Sequence, residues 1–175
     1  MINGTHGTFM YNKTKIWSFG FRRPTKPGMY GSAVYFWRDN NYSYELAVAW
    51  LRQEEDHRRN NWKNYKYESS AVVFFAEFPF SEDSDEFINL NYALMSEVEK
   101  FSFEKNIPIG KAYDLYLSRL EKTTGVQIVA LQGACPPPKK KFFSDIKIKE
   151  SNIAFTIAIM NTNYINIKES KDFTI

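Results

Sequence analysis

The stretch from Tyr30 to Trp50 passes from a strand pattern to a helix pattern within a few residues, so any fold of this chain has to seat a helix directly after a strand end. Ala33, Val34, Tyr35, Phe36 and Trp37 suit a half-buried pleated surface, and Gly28 and Gly31 punctuate the approach to it. Asp39, Asn40 and Asn41 carry turn chemistry, with Asp39 or Asn41 the expected N-cap. Leu46, Ala47, Trp50 and Leu51 then recur at helical spacing. Tyr35, near the strand end, is aimed at whatever sits above the turn.

The remaining chain supplies a sheet and its cover. Ile16 to Phe21 reads as a short apolar element ending at Gly20, and Arg22 to Gly28 as a basic, proline-interrupted loop. Helical spacing continues from Trp50 to Arg59 as a solvated end, and Asn60 to Tyr67 reads as a loop. Ala71 to Phe78 predicts a strand buried on both faces, followed by an acidic turn at Ser81 to Glu86. Helices are expected over Leu90 to Phe103 and Ala112 to Leu120. Strands are expected over Val126 to Leu131, Phe142 to Ile148, Ile153 to Met160 and Tyr164 to Ile167. Between the first two of these, Gly133 to Lys141 holds three prolines and three lysines, an extended loop with concentrated charge. The expectation is one α+β domain over residues 1–175, with helices packed on mostly antiparallel strands.

At 175 residues and 43% hydrophobic content, the chain suffices for one core and is short for two. Its single cysteine, Cys135, excludes an internal disulfide framework and a cysteine-based zinc site; no metal is expected, and a reducing, cytoplasmic compartment is. No apolar run approaches the ~20 residues of a bilayer span, and no export signal stands at the start, so no membrane partner is expected. Charge is unevenly spread: eleven basic against five acidic residues from Met1 to Tyr67, one against nine from Glu68 to Glu104, and eleven against six thereafter. Such a chain can present a basic face to an anionic ligand.

His6-Gly7-Thr8, then Gly20-Phe21, then Tyr35-Phe36 followed by a helix with Ala47 and Trp50, resembles the opening of ADP-ribosyltransferases of the diphtheria-toxin and poly(ADP-ribose) polymerase type, in particular small bacterial toxin and defence members. The match covers about the first 50 residues well and the later part in general layout. The resemblance implies a split, mostly antiparallel β-sheet core with flanking helices, and NAD as the substrate consumed. It implies that His6 hydrogen-bonds an NAD ribose hydroxyl, that the Gly7 backbone grips the nicotinamide amide, and that Thr8 adds a hydroxyl contact. Tyr35 would stack on the nicotinamide ring, with Tyr42 or Tyr44 as the second aromatic wall.

The pattern departs from the family at its third position. A late-strand glutamate is usual there, whereas Thr156 takes the place when Phe155 to Asn161 is superposed on that strand, and Glu150 is the carboxylate a few residues earlier. Ala33 also stands where the family has glycine. The resemblance implies transfer of ADP-ribose to a macromolecular acceptor, RNA or other nucleic acid slightly ahead of protein, in the manner of a toxin from a toxin–antitoxin or anti-phage defence system, with an antitoxin protein as a further partner. Arg22, Arg23, Lys139, Lys140 and Lys141 are the candidate acceptor contacts. The competing readings are a degenerate NAD-binding module and a nucleic-acid-binding domain without a cofactor.

Overall fold

Val72, Val73 and Phe74 have no exposed surface, so the strand that carries them needs neighbours on both edges and cover on both faces. That strand is β3 (Ser70–Phe78), with β1 (Ile2–Phe9) and β7 (Asn166–Thr174) along its two edges. The other strands are β2 (Val34–Arg38), β4 (Phe87–Asn89), β5 (Ala130–Cys135) and β6 (Ala154–Ile159). The helices are α1 (Lys13–Phe19), α2 (Ser43–Asn61), α3 (Tyr92–Lys105) and α4 (Ile109–Thr124). The computed structural model describes residues 1–39, 42–143 and 154–175.

The strands form an α+β domain around one mixed sheet of seven strands, in the order β4-β5-β6-β2-β1-β3-β7. The expectation of a split sheet therefore meets a continuous one. All described pairings are antiparallel except β4 with β5, which run parallel. The reason lies in the connection: α3 and α4 intervene between β4 and β5, and a crossover of that length brings the chain back in the same direction. No helix among the described residues is long and apolar enough to cross a membrane.

Each face of the sheet is covered differently. On one, α2 seats Leu46 and Ala47 against Trp37 and Val73, while α4 packs Ala112, Tyr113 and Leu117 against Leu131 and Ala158. On the other lie Phe36, Phe74 and Phe78, closed by Phe21 and Phe80, with Ile16 of α1 packed against them. The boundary at Gly20 holds, since it ends α1 with φ +71°. Asp39 does not cap α2: the N-cap is Tyr42, and the Asp39 carboxylate instead accepts from the Ser43 hydroxyl at 3.0 Å. Asn41, the other N-cap candidate, lies outside the described residues. The far part of α2 is not wholly solvated, because Glu55 is buried and accepts from the Tyr65 hydroxyl and, at 3.4 Å, from the Glu68 amide.

Two expected strands are displaced. β5 starts later than Val126 and runs through Gly133, Ala134 and Cys135, because those residues pair with Thr156, Phe155 and Ala154 of β6. The strand expected over Tyr164 to Ile167 begins only at Asn166, after the 3-10 turn Thr162–Tyr164, and runs on to Thr174 as β7. Lys140–Phe142 is a 3-10 turn as well, and residues 144–148 of the strand expected to Ile148 lie outside the described residues. β4, of three residues, and most of β7, an edge strand of alternating charge, carry too little apolar signal to read from sequence.

The seat of α2 on β1 rests on Gly7. A Cβ there would stand 2.6 Å from Leu51 Cδ1 and 2.9 Å from the Ala47 carbonyl oxygen, and backbone cannot rotate out of the way. Gly7→Ala is expected to lower stability by about 1–3 kcal/mol, the usual cost of overpacking, read as a shift in the urea midpoint. An unchanged midpoint would mean that α2 is free to slide on the sheet.

Candidate functional site

The site begins where a ladder ends. β1 and β2 pair only at Gly4 with Arg38 and Thr5 with Trp37, with the Asp39 amide reaching the Asn3 carbonyl at 2.8 Å below them. Past Thr5 the contact between the strands changes character. His6 Nδ1 lies 2.7 Å from the Tyr35 carbonyl oxygen, so a side chain makes the hydrogen bond that a backbone amide would make in a continued ladder. A carbonyl only accepts, hence Nδ1 carries the proton and Nε2 keeps its lone pair in the neutral ring. Burial lowers the His6 pKa below the ordinary 6.5, while the hydrogen bond to Tyr35 pulls weakly the other way, so the imidazole is neutral at neutral pH. Phe21, edge-on at 4.9 Å between ring centres, and Phe36 at 5.4 Å fix the ring plane.

Above this seam lies a cavity of about 900 Å³. It is at the upper end of the roughly 300–1,000 Å³ of small-molecule sites. His6, Gly7, Tyr35 and Thr156 all line it. Cross-strand partners share a face, so Thr5, Trp37 and Thr156 stand in one row, with Tyr35 on the same face of β2. His6 projects to the opposite face, beside Phe21 and Phe36. The cavity thus reaches both faces at the place where backbone pairing is missing.

Tyr35 does more than present a ring. Its hydroxyl accepts from the Tyr30 amide and donates to the Gly31 carbonyl, both at 2.8 Å, and a Cβ on Gly28 would lie 2.7 Å from the ring. The loop from Gly28 to Ser32 is therefore folded over Tyr35. Asp114 of α4 holds the same loop, accepting from the Ser32 amide and hydroxyl at 2.7 Å each. Burial pushes the Tyr35 phenol well above its ordinary range and the Cys135 thiol upward as well. Both stay protonated near neutrality.

Thr156 is buried, and its hydroxyl makes only a long contact, 3.5 Å, to the Gly133 carbonyl. Among the described residues no carboxylate lines the cavity; its ionised side chains are Lys15 and Arg22 at the rim. Glu150, the other candidate for the third position, lies outside the described residues.

The remaining candidates scatter. Thr8 does not line the cavity but accepts from Asn12 at 3.0 Å, and Asn12 does line it. Tyr44 stacks on Phe75 with 6.0 Å between ring centres and Lys171 over its face, on the β3 and β7 side. Neither it nor Tyr42 lines the cavity; the aromatic walls besides Tyr35 are Phe19, Phe21, Phe36, Trp37 and Trp50. Arg22 lines it, whereas Arg23 is turned to the Ser32 carbonyl and lies 3.5 Å from Asp114. Lys139 to Lys141 lie along α2, the Lys139 amide on Gln53 at 2.9 Å and Lys141 on Asp56 at 3.2 Å, and none lines the cavity. Asn12, Lys15, Phe19 and Trp37 escaped the sequence reading, since none stands in a motif; only α1, packed by Ile16, brings the first three here. No family model and no curated protein matches the chain.

Two outcomes follow. Tyr35→Phe removes the partner of the Tyr30 amide and is expected to cost about 1–3 kcal/mol, with faster hydrogen exchange at that amide. A protected Tyr30 amide and an unmoved urea midpoint would show that the hydroxyl does not clamp the loop. His6 also makes stability depend on pH. Its folded pKa is lowered, so the unfolded chain takes up a proton first as pH falls below about 6.5, and stability is lost from there down to the folded pKa. The stability difference between wild type and His6→Gln should accordingly shrink between pH 7.5 and 5, while a pH-independent difference would exclude a buried neutral imidazole.

Proposed function

We propose that the chain is an NAD-dependent mono-ADP-ribosyltransferase with a macromolecular acceptor, nucleic acid ahead of protein, acting as a toxin of a toxin–antitoxin or anti-phage defence system. One observation carries this reading: His6, Gly7, Tyr35 and Thr156, distant in sequence and assigned to one site by the resemblance alone, line the same cavity. On this reading the finer architecture is that of an ADP-ribosyltransferase, with the interrupted β1–β2 ladder corresponding to the split of the family's sheet.

The chemistry suits the groups present. Transfer breaks the bond between nicotinamide and ribose C1′ through a cationic, oxocarbenium-like transition state, while the acceptor forms the new bond to C1′. His6 Nε2, a lone pair held in place, accepts from a ribose hydroxyl. Tyr35 offers a ring to the nicotinamide, which leaves as the neutral amide with its electron pair. Holding NAD bent between these groups converts binding into orientation and strain.

With Thr156 in the third position the site brings a hydroxyl and no charge there, without the carboxylate that polymerising relatives use to activate a ribose hydroxyl. Single ADP-ribose units are therefore the expected product, without chains. The same feature favours the second reading, a module that binds NAD or nucleic acid and has lost catalysis. Incubation with labelled NAD and cell RNA or cell protein separates them: label in one fraction, sized as single units, supports the transferase, and NAD affinity without label supports the binding module. His6→Ala is expected to lower transfer per folded molecule on the order of 10²-fold, a magnitude typical of a positioned polar group. Glu150→Gln should cost little if Thr156 fills the third position; a comparable 10²-fold loss would assign that position to Glu150.

A further inference from the structure

We infer that the rim of the cavity is a landing site for single-stranded nucleic acid, whose unpaired bases stack on exposed aromatic side chains there and thereby supply the acceptor. This rests on the transferase reading and names its acceptor class. The carrying observation is what the mouth is made of. Phe19, 72% exposed, Met29, 44%, and Trp50, 42%, line the cavity and yet leave large apolar surfaces in water. They come from three separate elements, α1, the loop before β2, and α2, so this exposed apolar lining is a product of the fold and of no single amphipathic helix.

Exposed aromatics around an apolar-walled cavity fit any flat ring, and charge narrows the choice. Lys15 and Arg22 are the ionised side chains on the lining, both exposed, with no carboxylate beside them among the described lining residues. The chain's acidic stretch is elsewhere, in the turn from Ser81 to Glu86 and on α3, which contribute no lining residue. A ligand that offers both flat rings and regularly spaced negative charge matches this surface, and a base stack over a phosphate backbone is that chemistry. A duplex hides its ring faces within the stack, so the strand has to be single.

The geometry also assigns the phosphate contacts. The Lys141 ammonium pairs with Asp56 of α2 and none of Lys139 to Lys141 lines the cavity, whereas Lys15 and Arg22 do. The strand's phosphates accordingly run over α1 and the loop after it. The proline-lysine loop flanks the site without forming it.

The test uses the full chain and mixed-sequence oligonucleotides with a fluorescent end label: single-stranded RNA, single-stranded DNA, and the RNA duplex of the same sequence. Binding is read by anisotropy over a salt series, and NAD affinity is read separately by calorimetry. Either single strand should bind at least 10-fold tighter than the duplex, and the RNA and DNA arms identify which backbone is preferred. Trp50→Ala and Phe19→Ala should each weaken single-strand binding about 5-fold or more, the lower end for a lost base stack. The double variant Lys15→Ser, Arg22→Ser should reduce the slope of log affinity against log salt by about 1.4, at about 0.7 per phosphate contact on a single strand. Circular-dichroism melting guards the Trp50 variant, and Phe19, being more exposed, is the second probe.

Equal affinity for duplex and single strand, insensitivity to both aromatic substitutions, or a larger slope change from Lys139, Lys140 and Lys141 than from Lys15 and Arg22 would overturn the inference. So would label from NAD found in protein alone, an outcome that leaves the transferase reading standing. Strand binding that depends on Trp50 in a chain with no measurable NAD affinity would support the strand site and remove the transferase reading.

Discussion

Everything at the candidate site depends on the ladder between β1 and β2 stopping after two residue pairs. β1 keeps a full ladder with β3, and β2 keeps four pairs with β6, so both strands are rigidly held on their outer sides. Where they would meet, the His6 side chain takes the Tyr35 carbonyl. That bond closes off a buried polar group that the missing ladder leaves open, and it fixes the imidazole tautomer. An uninterrupted ladder would fill the seam with backbone and leave no cavity, and a wider gap would leave the carbonyl unpaired. The hydrogen bond lets an opening persist in the middle of a seven-stranded sheet, the part of a sheet that water otherwise does not reach.

The helices answer the same constraint. Gly7, with no Cβ, lets α2 come down onto β1 on one face, and Gly133 lets the Tyr30 ring lie against β5, where a Cβ would come within 2.7 Å of it. Tyr30 and Tyr35 then tie the 28–32 loop to the sheet, since the Tyr30 hydroxyl donates to the Ala134 carbonyl and the Tyr35 hydroxyl accepts from the Tyr30 amide and donates to the Gly31 carbonyl. Asp114 closes the ring of contacts from α4. α1 is held by Ile16 against the core and by Trp17 edge-on to Phe74 at 5.9 Å, with Lys13 on Asp172 at 2.7 Å an exposed pair of small energetic weight. The cavity thus has one wall made of sheet and loop and one made of α1.

How much of this was legible in the sequence follows from where the apolar signal lies. The Tyr30 to Trp50 stretch, the Ala71 to Phe78 strand and the helix at Leu90 declare themselves because their residues pack against a core whatever their neighbours are. β7 and β4 do not, since an edge strand is stabilised by backbone pairing to a partner that only the fold supplies, and its side chains are charged or few. His6 and Tyr35 were readable through a short motif, while their hydrogen bond was not: it joins a side chain to a backbone carbonyl across 29 positions. Tyr44 shows the opposite failure. Its place after the strand suggested a wall of the site, but its helical position turns it toward Phe75 on the far side of β1. The lysine loop drew attention by concentrated charge, and the fold spends part of that charge on Asp56 of α2.

On the proposed chemistry, the composition of the cavity decides which part of the reaction the protein carries. Among the described residues its ionised side chains are cations at the rim, and its other polar side chains are a neutral imidazole, a protonated phenol, a protonated thiol, a hydroxyl and the Asn12 amide. None of these is an anion able to sit beside the positive charge that develops on the ribose. Stabilisation must then come from groups that the substrates bring, the pyrophosphate of NAD folded back toward the ribose and an acceptor with an electron pair already free. An exocyclic amine of a base, pressed close to C1′ by stacking at the mouth, needs no base catalyst before it attacks, because its proton leaves after the new bond has formed. A serine or a ribose hydroxyl would need its proton removed, and the neutral base on the described lining, His6 Nε2, is on this reading already taken by the NAD ribose hydroxyl. On this reading, with Thr156 in the third position, the missing carboxylate and the apolar, cationic mouth are two sides of one arrangement, in which nucleophile selection replaces nucleophile activation.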